Sequence, residues 1–385
     1  MKLLIVPDIH LGKGSNLGKE DLSGNNSRIE DQKKLLYFTL EQAKENNVDR
    51  IILTGDIFDH FAPKPNLVVL FMEWLTECIK FCNVDIILGN HDFVKSDKNL
   101  NTILDCAKFL GCNLFKNIFS FKAYNCLATP QITYLPYTDR RLLGKETIQE
   151  ATDHLTSIIK ESVKPGLRNI IIGHLSLQGS FFIGDEVEDD SNEIFLPLDA
   201  FSDYDAVFMG HVHKYQILSS TPLIMHVGSL DKTSFTEVSK YLVIYDSRTN
   251  EIQDIELPTR NLVDFNIIIP ADVDQTKYIL DQINSMDIQD SIVRLKIETN
   301  SIDSIIDRKQ ILKLLDKKNI HNLSSFIETR RNEKPIAKNT DLDETLDETI
   351  DHNKAIEMAM QLLKADQSFK NDVTSACKDI INSKE

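Results

Sequence analysis

Short apolar runs rich in Ile, Leu and Val recur through roughly the first 250 residues, each separated from the next by longer amphipathic stretches. Leu3–Val6, Ile51–Leu53, Ile86–Leu88, Ile170–Ile172, Ala206–Met209 and Leu242–Tyr245 are bounded by Gly, Asp or Pro and are too short for buried helices. The pattern predicts buried strands alternating with helices, the signature of an α/β domain. Five of these six runs end in a polar cluster: P-D-I-H (7–10), G-D-I-F-D (55–59), G-N-H-D (89–92), G-H (173–174) and G-H-V-H (210–213). Ligands of open α/β sheets sit beyond the carboxyl ends of the strands, so five sequence-distant loops are expected to converge on one site.

After residues 257–258 the pattern changes. It predicts a strand (265–269), a helix (276–285), a strand (292–297), a helix (304–318) and a short strand (324–327), a small α+β module over 259–330 beside a first domain over 1–258. Residues 331–350 hold Pro335 and the run D-L-D-E-T-L-D-E-T-I-D, too polar and acidic for a core, and read as a linker. In 351–385, Ile356, Met360 and Leu363 share one face, and Phe369, Val373, Cys377, Ile380 and Ile381 another. Two short amphipathic helices are expected, burying their apolar faces on a partner in preference to the parent domain.

Composition narrows the class. The 385 residues are 42% hydrophobic and 26% charged, which suits a globular chain and excludes collagen-like or disordered ones. With 43 Lys and Arg against 59 Asp and Glu, the net charge of −16 repels polyanions on average, so contact with nucleic acid must be local. No apolar run approaches the roughly 18–20 residues of a membrane span, and Asp8 interrupts the first run before it could serve as a signal-peptide core. A cytoplasmic protein without a membrane partner is expected. Abundant Asn, Ile and Lys suggest an AT-rich genome, bacterial or phage. The six cysteines show no C-x-x-C pair and read as buried reduced thiols.

The polar clusters carry the chemistry. Asp8, His10, Asp56, Asn90, His174, His211 and His213 offer two carboxylates, one amide oxygen and four imidazoles, a set that can hold two divalent metals with Asp56 as the natural bridge. Mixed N and O donors suit Mn, Fe or Zn better than Ca or Mg. Two such ions favour phosphoester hydrolysis. His91 directly follows Asn90, placed to protonate a leaving alkoxide or hydrogen-bond the phosphate, with Asp59 or Asp92 as its orienting partner.

The ordered motifs D-x-H, G-D-x-x-D, G-N-H-D, G-H and G-H-x-H resemble those of the calcineurin-like metallophosphoesterase superfamily. G-D-I-F-D (55–59), L-P-Y (135–137), Y-D-A-V-F-M-G-H-V-H-K (204–214) and V-G-S-L-D-K-T-S-F-T-E (227–237) are similar to the nuclease subunits of SbcCD-type DNA repair complexes. The resemblance is strong over residues 1 to about 258, and beyond them extends only to order and size. It implies a four-layer sandwich of two mixed β-sheets flanked by helices. It also implies that Asp8, His10, Asp56 and His213 hold one metal and Asp56, Asn90, His174 and His211 the other. His91 matches the catalytic histidine, and the metal implied is manganese. The implied activity is 3′ to 5′ double-strand exonuclease plus single-strand endonuclease, with an SMC-like ATPase partner and a homodimeric assembly. Some relatives carry a second histidine three residues after the bridging aspartate, where this chain has Asp59, with His60 one later. The acidic stretch 185–190 reads as a loop that avoids DNA.

Residues 294–338 hold eleven Lys and Arg against six Asp and Glu. Lys309, Lys313 and Lys317 recur every four residues, a stripe that could touch backbone phosphates or could simply be a solvated helix face. Lys13, Lys64, Lys95, Arg140 and Arg141 lie near the motif loops and are further candidates for phosphate contact. Two other readings compete with the nuclease: another metallophosphoesterase, such as a cyclic-nucleotide phosphodiesterase or phosphatase, and an inactive scaffold subunit.

Overall fold

The first strand, β1 (Lys2–Val6), shows why the chain must build layers. Side chains alternate along a strand, so Leu3 and Ile5 face one way and Leu4 and Val6 the other, and all four are fully buried. Leu3 and Ile5 join Ile52, Ile87, Ile132, Ile172 and Phe208 in one apolar layer. Leu4 and Val6 belong to a second, with Leu36, Leu40, Phe71 and Trp74. A strand apolar on both faces needs cover on both.

The computed structural model describes residues 1–330 except 23, 98, 123–129, 183–190, 271–272 and 300–305. The linker and paired helices expected over 331–385 lie outside the described residues. In chain order the strands are β1, β2 (Arg50–Leu53), β3 (Asn83–Ile87), β4 (Asn113–Phe115), β5 (Phe119–Lys122), β6 (Gln131–Leu135), β7 (Asn169–His174), β8 (Ser176–Leu177) and β9 (Phe195–Leu196). They continue with β10 (Ala206–Gly210), β11 (Gln216–Ser220), β12 (Leu223–His226), β13 (Tyr241–Asp246), β14 (Glu251–Glu256), β15 (Leu262–Ile268), β16 (Ile292–Thr299) and β17 (Asn322–Arg330). The helices are α1 (Ser27–Glu45), α2 (Pro65–Phe81), α3 (Ile148–Ser162), α4 (Gln275–Asn284) and α5 (Arg308–Lys317).

Two six-stranded mixed sheets stack face to face, ordered β14-β13-β1-β2-β3-β4 and β11-β12-β10-β7-β6-β5. Their facing sides meet in the layer of Leu3, Ile5, Tyr134 and Phe208. The outer sides pack against Leu35, Leu36 and Leu40 of α1, Phe71, Trp74 and Leu75 of α2, and Leu155 and Ile159 of α3. This is the α/β four-layer sandwich of two mixed sheets flanked by helices. Truncating one such Leu or Ile to Ala costs about 2–5 kcal/mol. Helix starts are written locally: Asn26 caps α1 through the Arg28 amide, and Thr147 with Glu150 forms a capping box on α3.

β1, β2 and β3 run parallel, as do β6, β7, β10 and β12. The carboxyl ends that carry the polar clusters are those of β1, β2 and β3 in one sheet and β7 and β10 in the other.

Residues 262–330 form a three-stranded parallel sheet, β15-β16-β17, with α4 and α5 as crossovers and an apolar core of its own around Ile279, Leu295 and Ile311. Arg260 grips Asp31 of α1 through two bonds of 2.7 and 2.6 Å. Asp31 also accepts from the fully buried Arg28, which in turn reaches Asp231 at 2.6 Å. His321 and Asn322 bond to Ser27 and the Leu17 carbonyl.

Of the cysteines, Cys78 and Cys112 are buried and reduced, Cys82 is half-buried, and Cys106 is exposed, against the expectation that they would all be buried. The 3-10 turn carrying Cys106 (Ile103–Leu110) turns Leu104 and Ala107 inward instead. Cys126 and Cys377 lie outside the described residues.

Candidate metal centre

The seven donors named from sequence come together. Asp8 follows β1, Asp56 follows β2 and Asn90 follows β3, while His174 ends β7 and His211 and His213 follow β10. Asp8, His10, Asp56, His174 and His213 are each at most 5% exposed and Asn90 is 8% exposed. Their ligand atoms group as Asp8–His10–His213, His10–Asp56–His91 and Asp56–His174–His211, each within 4.8 Å. Asp56 is common to the last two.

Close approach of the loops demands glycine at two points. A Cβ on Gly89 would collide with the Asp56 carboxylate, and one on Gly210 with Asp8. Without side chains there, the β3 and β10 loops press directly on donors from β1 and β2.

The hydrogen-bond geometry tests whether the donors suit a cation. His174 Nδ1 donates to the Thr54 carbonyl at 2.7 Å, so its Nε2 presents a lone pair when the ring is neutral. That lone pair faces two oxygens, Asn90 Oδ1 at 3.1 Å and Asp56 Oδ2 at 3.3 Å. His211 Nδ1 lies 3.0 Å from the same amide oxygen, and His10 Nε2 lies 2.8 Å from His213 Nε2 and 3.4 Å from Asp56. With the rings neutral, electron pairs would crowd each other with few protons to share. Donors bound about 2.1 Å from one ion at right angles lie about 3.0 Å apart, so the spacing fits. His10 Nδ1 is buried with no partner among the described residues.

Electrostatics agree. Burial alone would lower the His174 imidazolium, yet the Asp56 and Asp8 carboxylates outweigh it and raise it to about 10. Burial would raise the Asp56 carboxyl, but the neighbouring His174 and His91 hold it well below the usual range. Asp8 is raised, chiefly by burial. Burial holds the His10 imidazolium well below the usual range, so His10 is a neutral donor beside the Asp56 carboxylate, and the donor set is compatible with a dinuclear metal site.

His91 stands at the edge. Its amide donates to Asp56 Oδ1 at 2.9 Å, and its Nδ1 donates to the backbone carbonyl of Asp59 at 2.8 Å. Neither expected carboxylate orients it: the Asp59 contact comes from the main chain, and Asp92 turns away to accept from the Ile57 and Gly89 amides at 2.9 and 2.8 Å. Asn90 and His91 line a cavity of about 200 Å³ with His60, Phe61, Phe93 and Lys95. His60 itself is exposed and accepts from the Ala62 amide.

Several candidates for phosphate contact are engaged elsewhere. Arg140 bonds to Asn192 Oδ1 and the Lys145 and Glu146 carbonyls, and Arg141 pairs with Asp139. Within the basic segment 294–338, Arg294 and Lys296 pair with Asp264. Lys309, Lys313 and Lys317 stay exposed on α5. His226 is a core residue bonded to the Gly210 carbonyl and the Ser180 hydroxyl.

Sequence reasoning missed Glu193, which lies 2.9 Å from His211 Nε2, and Thr54, whose hydroxyl donates to Asp8. Thr54 was readable as the residue before G-D. Glu193 lies three residues beyond an acidic stretch and ends no apolar run, so no pattern singled it out.

Comparison with known proteins places this geometry. Residues 1–215 match the family model of the calcineurin-like phosphoesterases. The D subunit of the SbcCD nuclease from Staphylococcus epidermidis is 25% identical over 70% of this chain and 72% of its own length. That of Staphylococcus saprophyticus is 27% identical over 70% and 71%. Among solved structures, a dimetal phosphatase from Danio rerio is 12% identical with a TM-score of 0.41, over 63% of this chain and 91% of that one. With its family motifs spanning both sheets, the chain belongs to the calcineurin-like phosphoesterases, a family of phosphoester hydrolases, and is similar to SbcCD nuclease D subunits.

Proposed function

We propose that the protein is a manganese-dependent DNA nuclease subunit, a 3′ to 5′ double-strand exonuclease and single-strand endonuclease that works with an SMC-like ATPase in DNA end processing, recombination and repair. The observation that carries the reading is the facing of His174, His211 and Asn90 donors across one point beside the shared Asp56, in a chain similar to D subunits over 70% of its length. Asp8, His10, Asp56 and His213 would hold one ion, and Asp56, Asn90, His174 and His211 the other. When bound, two such ions neutralise phosphate charge and lower the pKa of an attacking water.

The remaining work falls to side chains. With Nδ1 tied to the Asp59 carbonyl, His91 turns Nε2 toward the cavity edge, where it can hydrogen-bond the scissile phosphate or hold the proton that the leaving 3′ or 5′ oxygen takes. Burial of the donors keeps bulk water from competing for them. In this reading residues 259–330 cap the site, Lys309, Lys313 and Lys317 follow the DNA backbone, 331–350 is a linker, and the helices of 351–385 bind the ATPase. The assembly is a cytoplasmic homodimer.

The test is loss of end-labelled linear duplex DNA with Mn2+, beside an Asp8→Ala variant, a bis-p-nitrophenyl phosphate assay and addition of the ATPase subunit. Loss of duplex with wild type and metal alone supports the nuclease. Cleavage of the small ester with duplex untouched, even with the ATPase, would move the reading to a general phosphodiesterase.

A further inference from the structure

We propose that Glu193 is the positioning residue of His211, fixing the tautomer that leaves Nδ1 unprotonated and aimed at Asn90. The inference rests on the dinuclear reading above and adds a residue that the motif pattern does not contain.

His211 differs from the other three imidazoles. Its side chain is 16% exposed, whereas that of His174 is fully buried, and its ring lies 5.8 Å from that of Tyr137 and 5.2 Å from that of His174, contacts that place the ring without choosing which nitrogen carries the proton. Both ring nitrogens face acceptors: Nδ1 lies 3.0 Å from Asn90 Oδ1 and Nε2 lies 2.9 Å from Glu193 Oε1. A neutral imidazole has one N–H to give. A carboxylate accepts a stronger bond than an amide carbonyl, so the proton belongs on Nε2 and the lone pair on Nδ1. That lone pair points at the amide oxygen toward which His174 Nε2 also turns. Without the carboxylate, the proton is free to sit on Nδ1 and donate to Asn90, and that tautomer cannot bind an ion there.

Glu193 is itself held in place. The same Oε1 accepts from the hydroxyl of the buried Ser176. Pairing of β8 with β9, Ser176 opposite Phe195, brings the segment alongside. The preceding Asn192 is gripped by Arg140, whose guanidinium reaches its Oδ1 at 2.6 Å and whose amide donates to its carbonyl at 3.1 Å. The carboxylate is thus placed by two neighbouring segments as well as by its own. An outer carboxylate on a ligating histidine fixes ring orientation and raises its basicity, and its loss typically weakens metal binding about 10–100-fold.

The experiment titrates Mn2+ calorimetrically into chelator-treated wild type, Glu193→Ala and Glu193→Gln, with long-range 1H–15N spectra of the His211 ring and thermal melting of each metal-free protein. Wild type should bind two ions and show the Nε2–H form. Glu193→Ala should lose about 10–100-fold in affinity at one site only, show a tautomer mixture or Nδ1–H, and melt somewhat below wild type because the buried Ser176 hydroxyl loses its acceptor. Glu193→Gln, whose carbonyl still accepts, should fall between. Equal affinities in Glu193→Ala and wild type, an Nδ1–H ring in wild type, or equal loss of affinity at both sites would overturn the inference. Absence of Mn2+ binding by wild type would instead sink the dinuclear reading, while the ring spectra would still decide whether Glu193 sets the tautomer.

Discussion

Replacing Asp92 tests whether the loops after β2 and β3 act as one unit. The residue is 1% exposed, and its two carboxylate oxygens take the Ile57 amide at 2.9 Å and the Gly89 amide at 2.8 Å. One side chain thereby fastens the loop bearing Asp56 to the loop bearing Asn90 and His91. Asp92→Ala leaves both amides buried without that acceptor. Each orphaned donor costs about 1–3 kcal/mol, so the variant should lose about 2–6 kcal/mol of unfolding free energy. Asp92→Asn keeps one acceptor and turns an NH2 against the other amide, so its loss should be smaller. The functional effect has a separate scale: a shift of about 1 Å in a positioned group costs about 100-fold in rate. Urea unfolding in chelator and calorimetric Mn2+ binding should both rank wild type above Asn and Asn above Ala. If the Ala variant unfolds at the wild-type midpoint and binds metal as tightly, the fastening argument is wrong.

Burial lowers the His226 imidazolium to about 3, whereas an unfolded chain titrates it near 6.5. The folded state favours the neutral ring, so this contribution is whole above pH 6.5 and shrinks as pH falls toward 3, by about 3 kcal/mol at pH 4; the stability gap between wild type and His226→Gln in urea should narrow between pH 7 and 4, and a constant gap would refute it. Mn2+ at 100 times its dissociation constant should raise the unfolding free energy of chelator-treated protein by about 2.7 kcal/mol per site. The same rise in Asp56→Ala, read by thermal melting, would remove Asp56 from the ligand set. Substituting Lys309, Lys313 and Lys317 together by Ala should flatten the salt dependence of DNA binding by up to about 3 in log–log slope with Mn2+ binding unchanged, and an unchanged slope would return the stripe to solvent.

How much of this was legible follows from how each residue is held. Strands buried on both faces, such as β1 and β7, write continuous apolar runs, and the polar residue after each run marks a loop at a carboxyl end. The donors Asp8, Asp56, Asn90 and His174 were readable for that reason. β14 (Glu251–Glu256) is an edge strand with exposed Glu251, Gln253, Asp254 and Glu256 on it, and β11 is largely half-buried, so neither has an apolar signature. Glu193 was missed, and Asp92 was given the wrong role, for a different reason. Their work is a bond to a ring or to amides brought near by the fold, and no spacing along the chain encodes which oxygen meets which hydrogen. The orienting partner of His91 illustrates the limit, since a backbone carbonyl has no residue type to recognise.

The backbone of the site explains why so much polar surface can be held without relaxing. His10, Asp56 and His211 have φ of 45°, 47° and 79°, a region that costs a non-glycine residue of order 1–3 kcal/mol. Three such residues persist because the donors anchor one another. The amides of Ile9 and His10 donate to the Asp56 carbonyl at 3.1 and 2.8 Å, the His91 amide to the Asp56 carboxylate at 2.9 Å, and the His211 amide to Asp8 Oδ2 at 2.6 Å. Each strained turn is thus tied to a donor from another strand, and the strands behind them are fixed by the apolar layers on either side. Relaxing one turn would break a bond to a second loop and, through it, move a third. The donor set is therefore one mechanical unit spanning both sheets, and its strain is the cost of aiming side chains from five loops at a common point.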